Sequence, residues 1–160
     1  MNLKITTLSL LLAGSIGLIG CDDNDSKHSS DIIQQAFETK YPGIAVHDWE
    51  YKNGYSVAEF VFNGHEAEAW FDAQGQWYMT ETDYGRDLNQ LPQNIQEAFR
   101  QCSYATWSID DIDMFEYPTQ QTAYVFDLEQ GDRDYVLTIY ADGSIENGQT
   151  QQPVTGNVPD

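Results

Sequence analysis

The stretch YSVAEFVFNGHEAEAWFDAQGQWYMTETD, residues 55–83, holds two alternating runs joined by Asn63-Gly64. A second turn follows at Ala73-Gln74-Gly75, then a third run through Trp77, Met79 and Glu81. Asn-Gly between alternating runs is the strongest short-range hairpin signal, because both turn residues must accept positive φ. The stretch therefore predicts a three-stranded antiparallel meander. With Asn63-Gly64 as the loop, Phe62 opposes His65, Val61 opposes Glu66, Phe60 opposes Ala67, Glu59 opposes Glu68, and Val57 opposes Trp70. Side chains alternate faces along a strand. Ala58, Phe60, Ala67, Ala69 and Phe71 thus share a face that is apolar and partly small, as a docking helix requires. Val57, Glu59, Val61, Glu66, Glu68 and Trp70 share the other, where Glu59 stands across from Glu68. Like charges so placed destabilise a sheet by roughly a few tenths of a kcal/mol or more. Two readings are open: a solvated face that tolerates the cost, or a surface kept acidic for a partner.

The flanks repeat this plan. Ser29-Ser30-Asp31 supplies N-cap chemistry, and Ile32, Ile33, Ala36 and Phe37 follow at helical spacing until Tyr41-Pro42-Gly43. A strand over Ala45–Tyr51 then turns at Lys52-Asn53-Gly54 into the meander. Further on, Leu91-Pro92 opens a second helix with proline at its first position. Ile95, Ala98 and Phe99 recur there at a constant offset from Ile33, Ala36 and Phe37. Trp107–Phe115 matches the first strand, Thr122–Leu128 matches Ser56–Phe62, and Asp134–Tyr140 matches Glu66–Asp72. This mapping puts Tyr124, Phe126 and Leu128 on the apolar face and turns Ala67, Ala69 and Phe71 into Tyr135, Leu137 and Ile139. The second central hairpin reads as having the longer loop Gln130-Gly131-Asp132-Arg133. The fold class is therefore α+β: two αβββ(β) repeats, residues 31–85 and 86–147, each with one helix packed on one face of an antiparallel sheet. Neither repeat buries much core alone, so the two sheets should join or abut and leave the helix-free face open.

The N-terminus reads as a targeting segment. Lys4 is a positive n-region and Ile5–Ile19 an apolar run too short to span a bilayer comfortably. Leu18-Ile19-Gly20-Cys21 resembles the bacterial lipobox, which implies a signal peptide over residues 1–20, cleavage before Cys21 and a lipid on Cys21. An ordinary signal peptide with a chance cysteine is the alternative. Residues 21–30 form a polar tether, and residues 148–160 a frayed tail without periodicity. The localisation implied is a bacterial cell envelope, with the membrane and its side left open.

The chain carries 26 acidic against 7 basic residues, a formal charge of −19, and cleavage before Cys21 would remove Lys4 and no acid. Such a chain repels nucleic acid and anionic membrane surfaces, leaving the lipid as its membrane attachment. Once Cys21 is acylated only Cys102 remains, so neither an intrachain disulfide nor a cysteine-based zinc site can form. Cys102 reads as a half-buried structural residue. Carboxylate pairs abound by composition, Glu59 and Glu68 lie on an open sheet with no evident apolar pocket to shift their pKa, and no catalytic residue is assigned. His28, His47 and His65 have no clustered partners, so no metal or cofactor is assigned. Asp127–Asp134 lacks the spacing of a calcium loop and its terminal Glu.

Ala36-Phe37 with Tyr41-Pro42, Asp48-Trp49, and Trp70-Phe71-Asp72 with Gly75 and Trp77, followed by Thr80-Glu81, resemble the PepSY-like family. These are bacterial secreted and lipoprotein domains related in fold to the β-lactamase inhibitor protein. The resemblance spans about residues 31–147 as a tandem pair. In the second half Tyr140-Ala141-Asp142-Gly143 replaces the Phe-Asp-x-x-Gly element and the Tyr-Pro is missing. It implies an α+β fold and non-enzymatic binding of a protein or peptide, a secreted peptidase among the candidates, and no functional residues to transfer. Val57, Glu59, Val61, Glu66, Glu68 and Trp70 are accordingly the expected docking residues, with Trp70 as an aromatic anchor. Two further functions stay open: small-ligand or calcium binding on the acidic surface, and a structural role in an envelope complex.

Overall fold

A computed structural model describes residues 30–146. The lipobox with Cys21, residues 21–29 of the tether and the tail lie outside the described residues. The elements are α1 (Asp31–Lys40), β1 (Val46–Lys52), β2 (Tyr55–Phe62), β3 (His65–Phe71) and β4 (Trp77–Asp83). A 3-10 turn at Leu88–Gln90 leads into α2 (Gln93–Gln101), β5 (Ser108–Glu116), β6 (Ala123–Gln130), β7 (Arg133–Tyr140) and β8 (Ile145–Glu146). The strands form one eight-stranded sheet in sequential order. The two halves are joined where β4 pairs antiparallel with β5, Thr80 opposite Glu116 and Asp83 opposite Asp113. Among the described residues no helix is long and apolar enough to cross a membrane.

The first hairpins follow from their turns. Asn53 and Asn63 take φ of 52°, and Gly54 and Gly64 take φ of 91° and 89°. This double positive φ sets a two-residue turn matching strand twist. The resulting register pairs Phe62 with His65, Glu59 with Glu68 and Val57 with Trp70. The β6–β7 hairpin is not longer, as the sequence had suggested. Gln130 pairs with Arg133, so only Gly131-Asp132 form the loop. Gly131, at φ 65°, occupies its first position, which is the glycine-first hairpin turn.

Both helices cover the same face. Ile33 and Phe37 of α1 pack on Ala58, Phe60, Ala67, Ala69 and Phe71, while Ile95 and Phe99 of α2 pack on Phe126, Leu128, Tyr135, Leu137 and Ile139. The repeat is visible in single contacts: Phe37 lies 5.0 Å from Phe60 and Phe99 lies 5.0 Å from Phe126, centroid to centroid. The Ser30 side chain makes no cap hydrogen bond. Its carbonyl instead accepts from Ile33 and Gln34. The second helix begins one residue later than expected, with Pro92 as its N-cap. Tyr41, ending α1, hydrogen-bonds Thr80 through its hydroxyl at 2.6 Å, and Thr80 also accepts from the Trp77 indole at 2.9 Å.

Irregularities in three strands redistribute faces. The shift between Val46 and Asp48 sends Val46 to the helix side and Asp48 to the other. Tyr78 is an extra residue between the pairs Phe71–Trp77 and Trp70–Met79. Trp77 therefore packs under α1 while Met79 and Glu81 point away, although simple alternation places all three together. A third shift falls between Ile109 and Asp111. Such bulges locally increase twist and bend a strand.

Candidate functional site: the helix-free sheet face

The helix-free face carries two bands. One is apolar: Val57, Trp70, Met79, Phe115 and Val125 form a buried cluster, with Tyr55, Tyr78, Tyr117 and Val136 against it. Val57 is 0% and Trp70 3% exposed, which corrects the expectation of an open surface there. Five successive strands, β2 to β6, supply this cluster. With no helix above it, the cluster is covered by side chains packed against it, Tyr55, Tyr78, Tyr117 and Val136. The alternation rule assigns a side of the sheet but says nothing of how far neighbouring side chains cover a large indole. The Trp70 Nε1 has no hydrogen-bond partner among the described residues. Lys52 lies 5.9 Å from the indole centroid.

The other band is acidic and is built entirely from cross-strand pairs. Asp48 opposes Glu59, Glu59 opposes Glu68, and Glu68 opposes Glu81. Asp83 then opposes Asp113, and Asp111 opposes Asp127. The pairs step across β1 to β6 in a diagonal of carboxylates. Between them lies a trough of about 420 Å³, its lining including His47, Glu59, Glu66, Glu68, Glu81 and Asp113. Of the expected docking residues, Glu59 and Glu68 are half-buried in this band and Glu66 and Val61 are exposed, while Val57 and Trp70 belong to the buried apolar band.

Lys52 relieves one end only. Its Nζ lies 2.7 Å from Glu50 and 3.2 Å from Glu68. Burial pulls this ammonium down, but the two carboxylates outweigh it and the net effect is upward. Farther along, Glu81 is pushed up to about 7, first by burial and then by Glu68, with Lys52 opposing and Asp83 and Asp111 adding to the rise. Asp113 is likewise pushed up to about 7 by burial, then by Glu81, Asp111, Asp83 and Asp127. Burial and neighbouring acids also raise Asp127 and Glu59. Asp83, Asp111 and Asp113 offer carboxylate oxygens within 4.8 Å of one another, close enough for one cation to bridge. A cation or a cationic group is what this band lacks chemically.

Residues 81, 83, 111, 113 and 127 are absent from the sequence-based site. The alternation Met79-Glu81-Asp83 was available as a signal, although its alignment with Trp70 rests on the bulge at Tyr78. Its continuation into Asp113 and Asp111 was not, because that depends on the β4–β5 pairing across the α2 segment. Cys102 is half-buried, as expected.

The comparisons agree with this architecture. The chain is similar to a BLIP-like protein from Bacteroides fragilis, 35% identical, with a TM-score of 0.73 over 81% of this chain and 91% of that one. A DUF2874 family protein from Bacteroides ovatus is 29% identical, with a TM-score of 0.69 over 81% of this chain and 95% of that one. Another from Bacteroides uniformis, 23% identical with a TM-score of 0.67 over 82% of this chain and 96% of that one, shares the fold. No curated protein matches the chain. The model of the beta-lactamase-inhibitor-like, PepSY-like family matches residues 53–146. From the second β-strand to the last, this chain belongs to that family.

Proposed function

We propose that this is a non-enzymatic binding protein, anchored to a bacterial cell envelope by a lipid on Cys21, that docks a protein or peptide partner on the helix-free face. One observation carries the reading: a whole sheet face is left without a covering element while carboxylates oppose each other on it strand after strand. Each opposed pair opposes folding, Lys52 pairs with Glu68 alone among these acids, and a local rule broken with so little compensation inside the chain points to a site of interaction. The beta-lactamase-inhibitor-like description of the family supports stoichiometric docking without turnover, with a secreted hydrolase such as a peptidase as partner class. A photo-crosslinker at Val61 or Glu66, both exposed, should capture a partner in cells, and one at Glu97 on α2 should not. Capture from Glu97 alone, or from neither side, refutes the reading.

A second reading is supported by the 4.8 Å grouping of Asp83, Asp111 and Asp113, which would hold a calcium ion through oxygen ligands. Calorimetry with calcium at pH 7.5 separates the two. Saturable one-to-one binding, lost in Asp113→Asn, favours the ion, and a flat titration favours the protein partner.

A further inference from the structure

We propose that the partner presents a lysine- and arginine-rich segment, laid across the strands along the carboxylate diagonal from Asp48 to Asp127. This rests on the docking reading above and specifies the chemistry of its ligand. The first argument is extent. The opposed acids run from β1 to β6, five steps of about 4.8 Å, or roughly 24 Å. A single divalent ion would satisfy Asp83, Asp111 and Asp113 at one end and leave Asp48, Glu59 and Glu68 at the other untouched. An extended segment of about seven residues covers the distance at about 3.3 Å per residue.

The second argument is charge. The ion pairs among the described residues are Lys52 with Glu50 and Glu68, and Arg86 with Asp110. Glu81, Asp83, Asp111, Asp113 and Asp127 therefore make no ion pair within the described chain, although Glu81 and Asp113 are partly sheltered from water. Anionic partners are repelled, and neutral ones would bury these carboxylates unpaired, which is the costlier outcome. Guanidinium and ammonium groups instead find acceptors at every strand, and guanidinium can bind carboxylates bidentately. The third argument is the trough itself. It brings carboxylates of β2, β3, β4 and β5 around one open space, Glu59, Glu68, Glu81, Asp83, Asp111 and Asp113 among its lining. Long basic side chains suit that arrangement, because a flexible methylene stem carries the charge at its end down to the carboxylates.

The test uses the full-length protein in detergent and two probe peptides, octalysine and octaarginine, titrated by calorimetry at pH 7.5 in low and physiological salt. Two variants of equal charge change are compared with wild type. Glu68→Gln/Glu81→Gln/Asp113→Asn neutralises the diagonal, and Glu38→Gln/Glu97→Gln/Asp132→Asn neutralises the two helices and a hairpin tip. Removing opposed like charges favours folding, so the first variant stays folded. We expect both peptides to bind wild type, the diagonal variant to bind about tenfold more weakly or worse, and the control variant to change by less than about twofold. Equal losses in the two variants would reduce the binding to net charge and overturn the proposal, as would absence of peptide binding. If crosslinks at Val61 and Glu66 capture a partner whose contacting segment has no Lys or Arg, the docking reading stands and this proposal falls. If nothing is captured while octalysine binds only through the diagonal, the docking reading falls and the cationic preference of the face remains.

Discussion

Replacing Glu81 by glutamine should stabilise the protein at pH 8 and leave its stability at pH 4 unchanged. Glu81 opposes Glu68 across β3–β4 and is held at about 7, against 4.5 for an ordinary glutamate, by burial and by Glu68, Asp83 and Asp111, with Lys52 opposing. Between pH 4.5 and 7 the native state retains a proton that the unfolded chain has released. Stability must therefore fall as pH rises through that window and level off above it. Fully ionised, the side chain would oppose folding by up to about 3 kcal/mol. Water reaching the half-buried group lowers that to about 1–2 kcal/mol. Glutamine keeps the shape and never ionises, so the variant should lack the fall. It should also bring the Asp113 carboxyl down, since Glu81 is the first charge raising it after burial. Urea unfolding at pH 4 and pH 8, followed by tryptophan fluorescence, reads the difference. With a slope of about 1–3 kcal/mol per molar urea, the variant's midpoint at pH 8 should exceed wild type by roughly 1 M. Parallel pH dependences for the two proteins would refute the electrostatic account of the face.

Phe37→Ala and Phe99→Ala should each destabilise by about 3–5 kcal/mol in urea unfolding, because both rings are buried under equivalent helices; a loss below about 1 kcal/mol at either would mean that helix does not dock. Trp70→Ala should cost about 3–5 kcal/mol of stability, since the indole is 3% exposed; an effect on partner binding with stability intact would return Trp70 to the surface. Cys21→Ser should abolish lipid labelling and release the protein from membranes, and continued membrane retention would count against the anchor.

Much of the sheet was legible because it is built from neighbours in sequence. Asn53-Gly54 and Asn63-Gly64 impose their turns through backbone sterics alone, and each turn dictates the register of the strands it joins. The alternation around Asn63-Gly64 then sorts Phe60 and Ala69 from Glu59 and Glu68, and the matched Phe37 and Phe99 place both helices on one side. Three features needed the tertiary structure. The pairing of Asp83 with Asp113 joins residues separated by the whole of α2, and no local steric rule selects that register. The bulges at His47 and Tyr78 reverse faces within strands whose composition looks uniform. The covering of the apolar band depends on large side chains meeting from β2 to β6. That packing buries Trp70, and the β4–β5 register brings acids of both halves together on one face.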